Sequence, residues 1–140
     1  MTAKEYFNKI RNAIYGRRSL HKHLSDLEAN LAAVGGFDYS KDRVQTSPRN
    51  TQEEKICEYI DTQNKYLKMM NLYANDILEA EERLNRLSKS EYAEILRYLH
   101  MNGQRLSYFE ISKRMGYSED RIKHLVSEAY TEFEERWLND

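Results

Sequence analysis

The chain has 140 residues, 22 Lys and Arg against 23 Asp and Glu, and a formal net charge of -1, enough for one compact domain or two small helical modules. With 40% hydrophobic and 32% charged residues it is polar overall yet apolar enough to fold. One Pro and five Gly, where average usage gives about 7 and about 10, disfavour a turn-rich β-sandwich and favour long helices. Cys57 is the single cysteine, so an intramolecular disulfide and a thiolate metal cage are both excluded. No apolar run approaches the roughly 18 residues of a membrane span, and the N-terminus has no signal-peptide core. The expected class is a soluble, all-α protein of the cytoplasm that does not engage membranes.

Charge is distributed unevenly. Residues 1–50 carry nine Lys and Arg against five Asp and Glu, residues 51–100 seven against ten, and residues 101–140 six against eight. A basic first third beside an acidic middle third points first to pairing between the two.

The first predicted helix is organised by heptads. Tyr6, Ile10, Ala13, Arg17, Leu20, Leu24, Leu27, Leu31 and Val34 alternate steps of four and three, the pattern of a coiled-coil seam. Thr2 and Glu5 form a capping-box pair at its start and Gly35-Gly36 stops it. Arg17 interrupts the seam, as a register-setting polar residue does; with Arg18, His21, Lys22 and His23 it also makes a small basic surface suited to phosphate or a partner.

A second stripe runs through Ile56, Tyr59/Ile60, Gln63, Tyr66/Leu67, Met70, Tyr73, Ile77, Leu84 and Leu87, with Thr51 as N-cap and Glu53 and Glu54 in the first turn. Two such helices are expected to fold back as a coiled-coil-like antiparallel hairpin over residues 1–88. A turn near residue 43 would set Lys4 and Lys9 opposite Asp76, Glu79, Glu81 and Glu82. The 35–50 connector is long for a hairpin and contains Phe37, Tyr39 and Val44, so it is expected to pack over the hairpin end with Lys41, Arg43 and Arg49 outward.

Residues 89–140 hold the strongest signal, Phe109-Glu-Ile-Ser-Lys-Arg-Met-Gly-Tyr-Ser-Glu-Asp-Arg-Ile122. Ser112 is the small residue where one helix crosses another, Gly116 supplies a positive-φ turn, and Ser118 caps the next helix. Ile111, Met115, Tyr117, Ile122 and Leu125 fall at the shared core, and Tyr92, Ile95, Leu96 and Leu99 form a supporting helix ended by Asn102-Gly103. The last helix carries Ile122, Leu125, Val126, Ala129, Tyr130, Phe133 and Trp137 on one face. The opposite face presents Ser118, Glu119, Asp120, Arg121, Lys123, His124 and Ser127, the base-reading positions of a DNA-binding helix-turn-helix. Arg121 and Lys123 suit phosphate or guanine, His124 a base edge, and Glu119 either a cytosine amino group or the orienting of Arg121. The alternative is a helical bundle that binds no DNA, and the acidic balance of the last third weighs toward it, because affinity for DNA rests on phosphate neutralisation.

The opening Met-Thr-Ala-Lys-Glu-Tyr, the connector Asp38-Tyr-Ser-Lys-Asp-Arg-Val-Gln-Thr-Ser-Pro48 and Met115-Gly-Tyr-Ser-Glu resemble small prophage proteins of Gram-positive bacteria, sigma-factor-like or ArpU/RinA-type late transcription regulators. The resemblance spans almost the whole chain. It implies a C-terminal module like the fourth region of a sigma factor, with Glu119, Asp120, Arg121, Lys123 and His124 at double-stranded DNA and Lys113 and Arg114 on the backbone. Host RNA polymerase is the implied partner; a second copy is expected separately, because the few cations of the module give weak binding by one copy. The chain lacks the polymerase-clamping second region of a complete sigma factor.

Two functions therefore stand at the level of sequence. One is a phage-type transcription regulator. The other is a protein-interaction or DNA-packaging recognition protein that works through its helical hairpin, an option the 11 tyrosines favour. Catalysis is not expected: there is no Gly-rich phosphate loop and no paired-His metal motif, and His21, His23, His100 and His124 form no ligand set. No cofactor or metal is implied. His100 ends an apolar helix and is expected to be packed.

Overall fold

The computed structural model describes residues 1–33 and 46–139, with side chains for 1–32 and 53–139. The described residues are helical with no strand: α1 (Ala3–Ala33), α2 (Thr46–Asn85), α3 (Ser90–Leu96), α4 (Tyr108–Met115) and α5 (Glu119–Phe133), with π-helical turns at Arg97–Met101 and Glu134–Leu138. No described helix is long and apolar enough to cross a membrane. The expectations about Val34, Gly35-Gly36 and the connector, including Phe37, Tyr39, Lys41, Arg43 and Val44 and the side chain of Arg49, lie outside the described residues.

Local chemistry accounts for the helix ends. At the start of α1 the Thr2 hydroxyl accepts from the Glu5 N–H and the Glu5 carboxylate accepts from the Thr2 N–H, both at 3.2 Å. That is the reciprocal capping box its sequence implies. A further orphan donor, the N–H of Ala3, is taken by Glu134 Oε1 at 2.8 Å, a charge-assisted bond at the positive end of the helix dipole. α2 begins at Thr46, so Thr51, read from sequence as its N-cap, instead lies inside the helix. Pro48 is tolerated there because the first-turn N–H groups have no intrahelical acceptor to lose.

The chain divides into two compact units, one of Met1–Tyr15 with Tyr73–Asp140 and one of Gly16–Leu72. The apolar start of α1 belongs to the first unit. Ala3, Tyr6, Phe7 and Ile10 are buried in one cluster with Ala80 and Leu84 of α2, with Leu87 just after it, and with Ile95, Leu96, Ile111, Ile122, Leu125, Ala129 and Phe133 of the C-terminal helices. Phe7 packs 4.8 Å from Phe133 and edge-on to Tyr6 at 5.3 Å, ring centre to ring centre. Phe7 and Phe133 are both fully buried, and truncating either to Ala should cost about 3–5 kcal/mol.

Within this unit a polar chain is threaded through the core. Arg11 donates to the Leu99 carbonyl at 2.6 Å and lies 3.1 Å from His100 Nδ1, while His100 Nε2 lies 2.6 Å from the Tyr130 hydroxyl. Phe7 stacks on the imidazole at 4.9 Å. A guanidinium can only donate, so Nδ1 must be an acceptor and the ring neutral with its proton on Nε2. Burial, aided by the positive charges of Arg11 and Lys4, pushes the His100 pKa down to about 3. Placing the imidazole in the π-helical turn aims it inward from the end of α3, as its packed reading expected.

The acidic stretch of α2 is used differently from the cross-helix pairing with Lys4 and Lys9 that charge alone suggested. Glu81 accepts from Arg97 at 3.1 Å, and Glu79 pairs with Arg83 at 2.5 Å. Arg97 also donates to Asn85, and the Arg83 guanidinium lies over the Tyr6 ring at 5.3 Å. Lys9 and Asp76 do line one cleft, with Glu5 and Tyr73.

In the second unit, His23 lies 6.5 Å from the Tyr66 ring, and Leu27 and Leu31 line a cleft with Lys55, Glu58, Tyr59 and Thr62. The heptad positions Leu20, Leu24 and Leu27 are half-buried and Leu31 is buried. Arg17 is exposed, a correction to its assignment as a seam residue: its charge stays in water. Of the doubled positions on α2, Tyr59 and Tyr66 are half-buried, whereas Ile60 and Leu67 are 46% and 44% exposed.

Candidate nucleic-acid interface

The geometry around Gly116 follows from three residues. Ser107 caps α4 by accepting from the Glu110 N–H at 3.2 Å. At the other end, the Ser112 carbonyl takes the N–H groups of Gly116 (2.9 Å) and Tyr117 (3.2 Å). That closure requires φ = +75° at Gly116, a left-handed value only glycine adopts without cost. Ser118 then caps α5, its hydroxyl accepting from the Arg121 N–H at 3.2 Å, with Glu119 and Asp120 in the favourable first turn.

Packing sets which side chains remain outside. Ile111 and Ile122 are fully buried, Leu125, Val126, Ala129 and Phe133 nearly so, and Met115, Tyr117 and Tyr130 pack against them. α5 is therefore anchored along one face. On its other face Ser118, Glu119, Asp120, Arg121, Lys123, His124 and Ser127 are all exposed, as are Lys113 and Arg114 of α4. Thus each of the nine residues singled out from sequence is at the surface, and the seven on or capping α5 sit in its first two and a half turns.

Three of the cations rest on aromatic rings: Lys113 on Phe109 at 4.9 Å, Arg114 on Tyr98 at 5.9 Å and Arg121 on Tyr117 at 5.3 Å. The carboxylate that orients Arg121 is Glu91 of α3, at 3.7 Å, and not Glu119. Glu91 also accepts the Tyr117 hydroxyl at 3.1 Å, and this bond holds the Tyr117 phenol above its ordinary pKa. Arg121 is exposed and Glu91 half-exposed, so the pair contributes at most about 1 kcal/mol; its consequence is directional. Glu91 lies 30 positions before Arg121 in the chain, and no local pattern would have connected them.

The acidic balance of the last third also acquires a location. Glu128 takes the Tyr92 hydroxyl at 2.7 Å, Glu132 the Ser88 N–H at 3.2 Å, and Glu134 the Ala3 N–H at 2.8 Å. These carboxylates bind the C-terminal helix to α1, α3 and the α2–α3 junction. Around the Gly116 turn the charges balance: Lys113, Arg114, Arg121 and Lys123 stand beside Glu110, Glu119 and Asp120, with Glu91 paired to Arg121. Among the described residues no group of His, Cys, Asp and Glu is arranged to hold a metal ion. Compared with known proteins, the chain has no significant match to a family model, a curated protein or a solved structure.

Proposed function

We propose that the chain is a transcription regulator of the phage late type, acting in the bacterial cytoplasm. In this reading residues 89–140 are a helix-turn-helix module that reads double-stranded promoter DNA with the exposed half of α5. The observation that carries the reading is that half-helix: an exposed serine cap directly after a glycine turn, followed by six exposed polar residues and backed by a face packed into the core. A recognition helix needs this arrangement, because its N-terminal residues enter the major groove while its other side is held by the preceding helix. Lys113 and Arg114 then contact backbone phosphate, and Arg121, Lys123 and His124 reach base edges. With carboxylates interspersed among these cations, one copy neutralises little phosphate, so a second copy or a partner on the DNA is required.

The approach of His23 to Tyr66, and the cleft that Leu27 and Leu31 share with Tyr59 and Thr62, favour reading residues 1–88 as an antiparallel coiled-coil-like hairpin. It would supply dimerisation or docking on host RNA polymerase, and so the second set of DNA contacts. The test is the double variant Lys123→Ala with His124→Ala. Sequence-selective binding is expected to vanish while helix content by circular dichroism stays the same, since each lost base-edge contact costs about 1–3 kcal/mol. Unchanged selectivity contradicts the assignment.

A second reading has its own observation. Ile60, Leu67, Met69 and Leu72 of α2 are 42–58% exposed, an apolar surface suited to a protein partner. Under this reading the hairpin is the working surface, as in an interaction or DNA-packaging recognition protein. No duplex would then be retained above background at low salt, and ring stoichiometry would mark the packaging variant.

A further inference from the structure

A cleft in the first unit is lined by Lys4, Arg11, Arg105, Ser107, His100 and Tyr130 among others, and no carboxylate lines it. Three of its polar groups, Arg11, His100 and Tyr130, are aligned in one sense. Arg11 donates into His100 Nδ1, which places the imidazole proton on Nε2 and obliges it to donate to the Tyr130 oxygen. The Tyr130 O–H is then left as a donor, and no acceptor among the described residues takes it. Ser107 is in the same position: its oxygen accepts the Glu110 N–H, so its own proton is directed elsewhere. Lys4 and Arg105 add exposed cationic donors, and the start of α4 lies at Ser107, where the helix dipole is positive. A cleft that offers several O–H and N–H donors, three cations and no anion in its lining is chemically complementary to a tetrahedral oxyanion.

We propose that this cleft is a phosphate-binding site, in which Lys4 and Arg105 supply charge and Tyr130 and Ser107 donate hydrogen bonds. The Arg11–His100 pair acts behind it as a positioning element, holding the Tyr130 oxygen as an acceptor so that its proton faces the ligand. The phosphate has two candidate sources, the backbone of the DNA already proposed as ligand or a free phosphate group. Binding of inorganic phosphate does not depend on the DNA-reading assignment and is measured without DNA.

The experiment uses the full chain and inorganic phosphate as probe. Thermal unfolding is followed in sodium phosphate and in sodium chloride matched for ionic strength and pH. Phosphate is expected to raise the midpoint above the chloride value, with a concentration dependence that saturates. In Lys4→Gln/Arg105→Gln the two salts should become equivalent, while the unfolding midpoint in chloride stays near wild type because both side chains are exposed. Equal midpoints in the two salts for wild type, or an undiminished phosphate effect in the variant, overturns the proposal. A second arm titrates a random-sequence duplex. If Arg105→Gln lowers the slope of log K against log salt by about 1, the phosphate belongs to DNA; if the slope is unchanged while phosphate protection is lost, the site takes a free phosphate. Lys123→Ala/His124→Ala should keep the phosphate effect, so failure of the DNA-reading assignment is distinguishable from failure of this one.

Discussion

Acid should destabilise this protein through one histidine, and the effect can be isolated. His100 is 6% exposed, accepts from Arg11 at 3.1 Å and is held neutral with a pKa of about 3 against an ordinary 6.5. In the unfolded chain it is free to bind a proton below pH 6.5, whereas the folded chain resists until about pH 3. The unfolded state therefore holds more protons between those values. Stability from this group is complete above about pH 6.5 and falls as pH decreases, by about 1.4 kcal/mol per unit. Between pH 7 and pH 5 the loss is about 2 kcal/mol. The substitution His100→Gln removes the titration while keeping a side-chain oxygen for Arg11 and an N–H for Tyr130. Urea unfolding of both proteins at pH 7 and pH 5 gives the difference directly, because the exposed His21, His23 and His124 and the carboxylates are common to both. The variant starts less stable, having lost the stack on Phe7, but wild type should lose about 2 kcal/mol more than the variant on acidification. An identical loss in the two proteins refutes the neutral, buried assignment of His100.

Other outcomes follow from single positions. The Tyr6 hydroxyl is buried and meets no partner at full hydrogen-bond geometry, although the nearby Arg83 guanidinium partly offsets the burial that raises its pKa; Tyr6→Phe, which keeps the ring under Arg83, should stabilise by about 1 kcal/mol in chemical unfolding, and a loss of that size would mean that Arg83 satisfies the hydroxyl. Gly116→Ala meets no atom within 4 Å of the added methyl, so its cost should be only that of a positive φ, about 1–2 kcal/mol, with helix content retained; a loss well beyond that by thermal unfolding would reveal a steric role. If the exposed α2 face carries self-association, Ile60→Glu with Leu67→Glu should leave a monomer by sedimentation velocity at concentrations where wild type is dimeric; an unchanged dimer places the interface elsewhere.

What the sequence made legible was whatever local chemistry determines. The Thr2–Glu5 capping box, the Gly116 turn and the Ser118 cap are each set by residues within a few positions of one another, and the face of Ile122, Leu125, Val126, Ala129 and Phe133 is set by helical period alone. Phe7 escaped, although it is fully buried. It lies one residue from Tyr6, about 100° around the helix, so a single-seam pattern could not include it. Its burial depends on Phe133 and His100, which are distant in sequence. The same holds for the Glu91–Arg121 pair and for the Arg11–His100–Tyr130 chain: tertiary packing alone brings them together. Arg17 failed for the opposite reason. Spacing put it on the seam, but a guanidinium is strongly solvated, and the helix leaves it exposed.

The central claim is that the exposed half of α5 reads DNA sequence. The most direct measurement is selection of wild type and Lys123→Ala/His124→Ala proteins against a random duplex pool at moderate salt, with and without host RNA polymerase. The account predicts that wild type enriches one short motif, alone or with polymerase, and that the variant loses it. Absence of any enriched motif in both conditions, or the same motif from the variant, would contradict it.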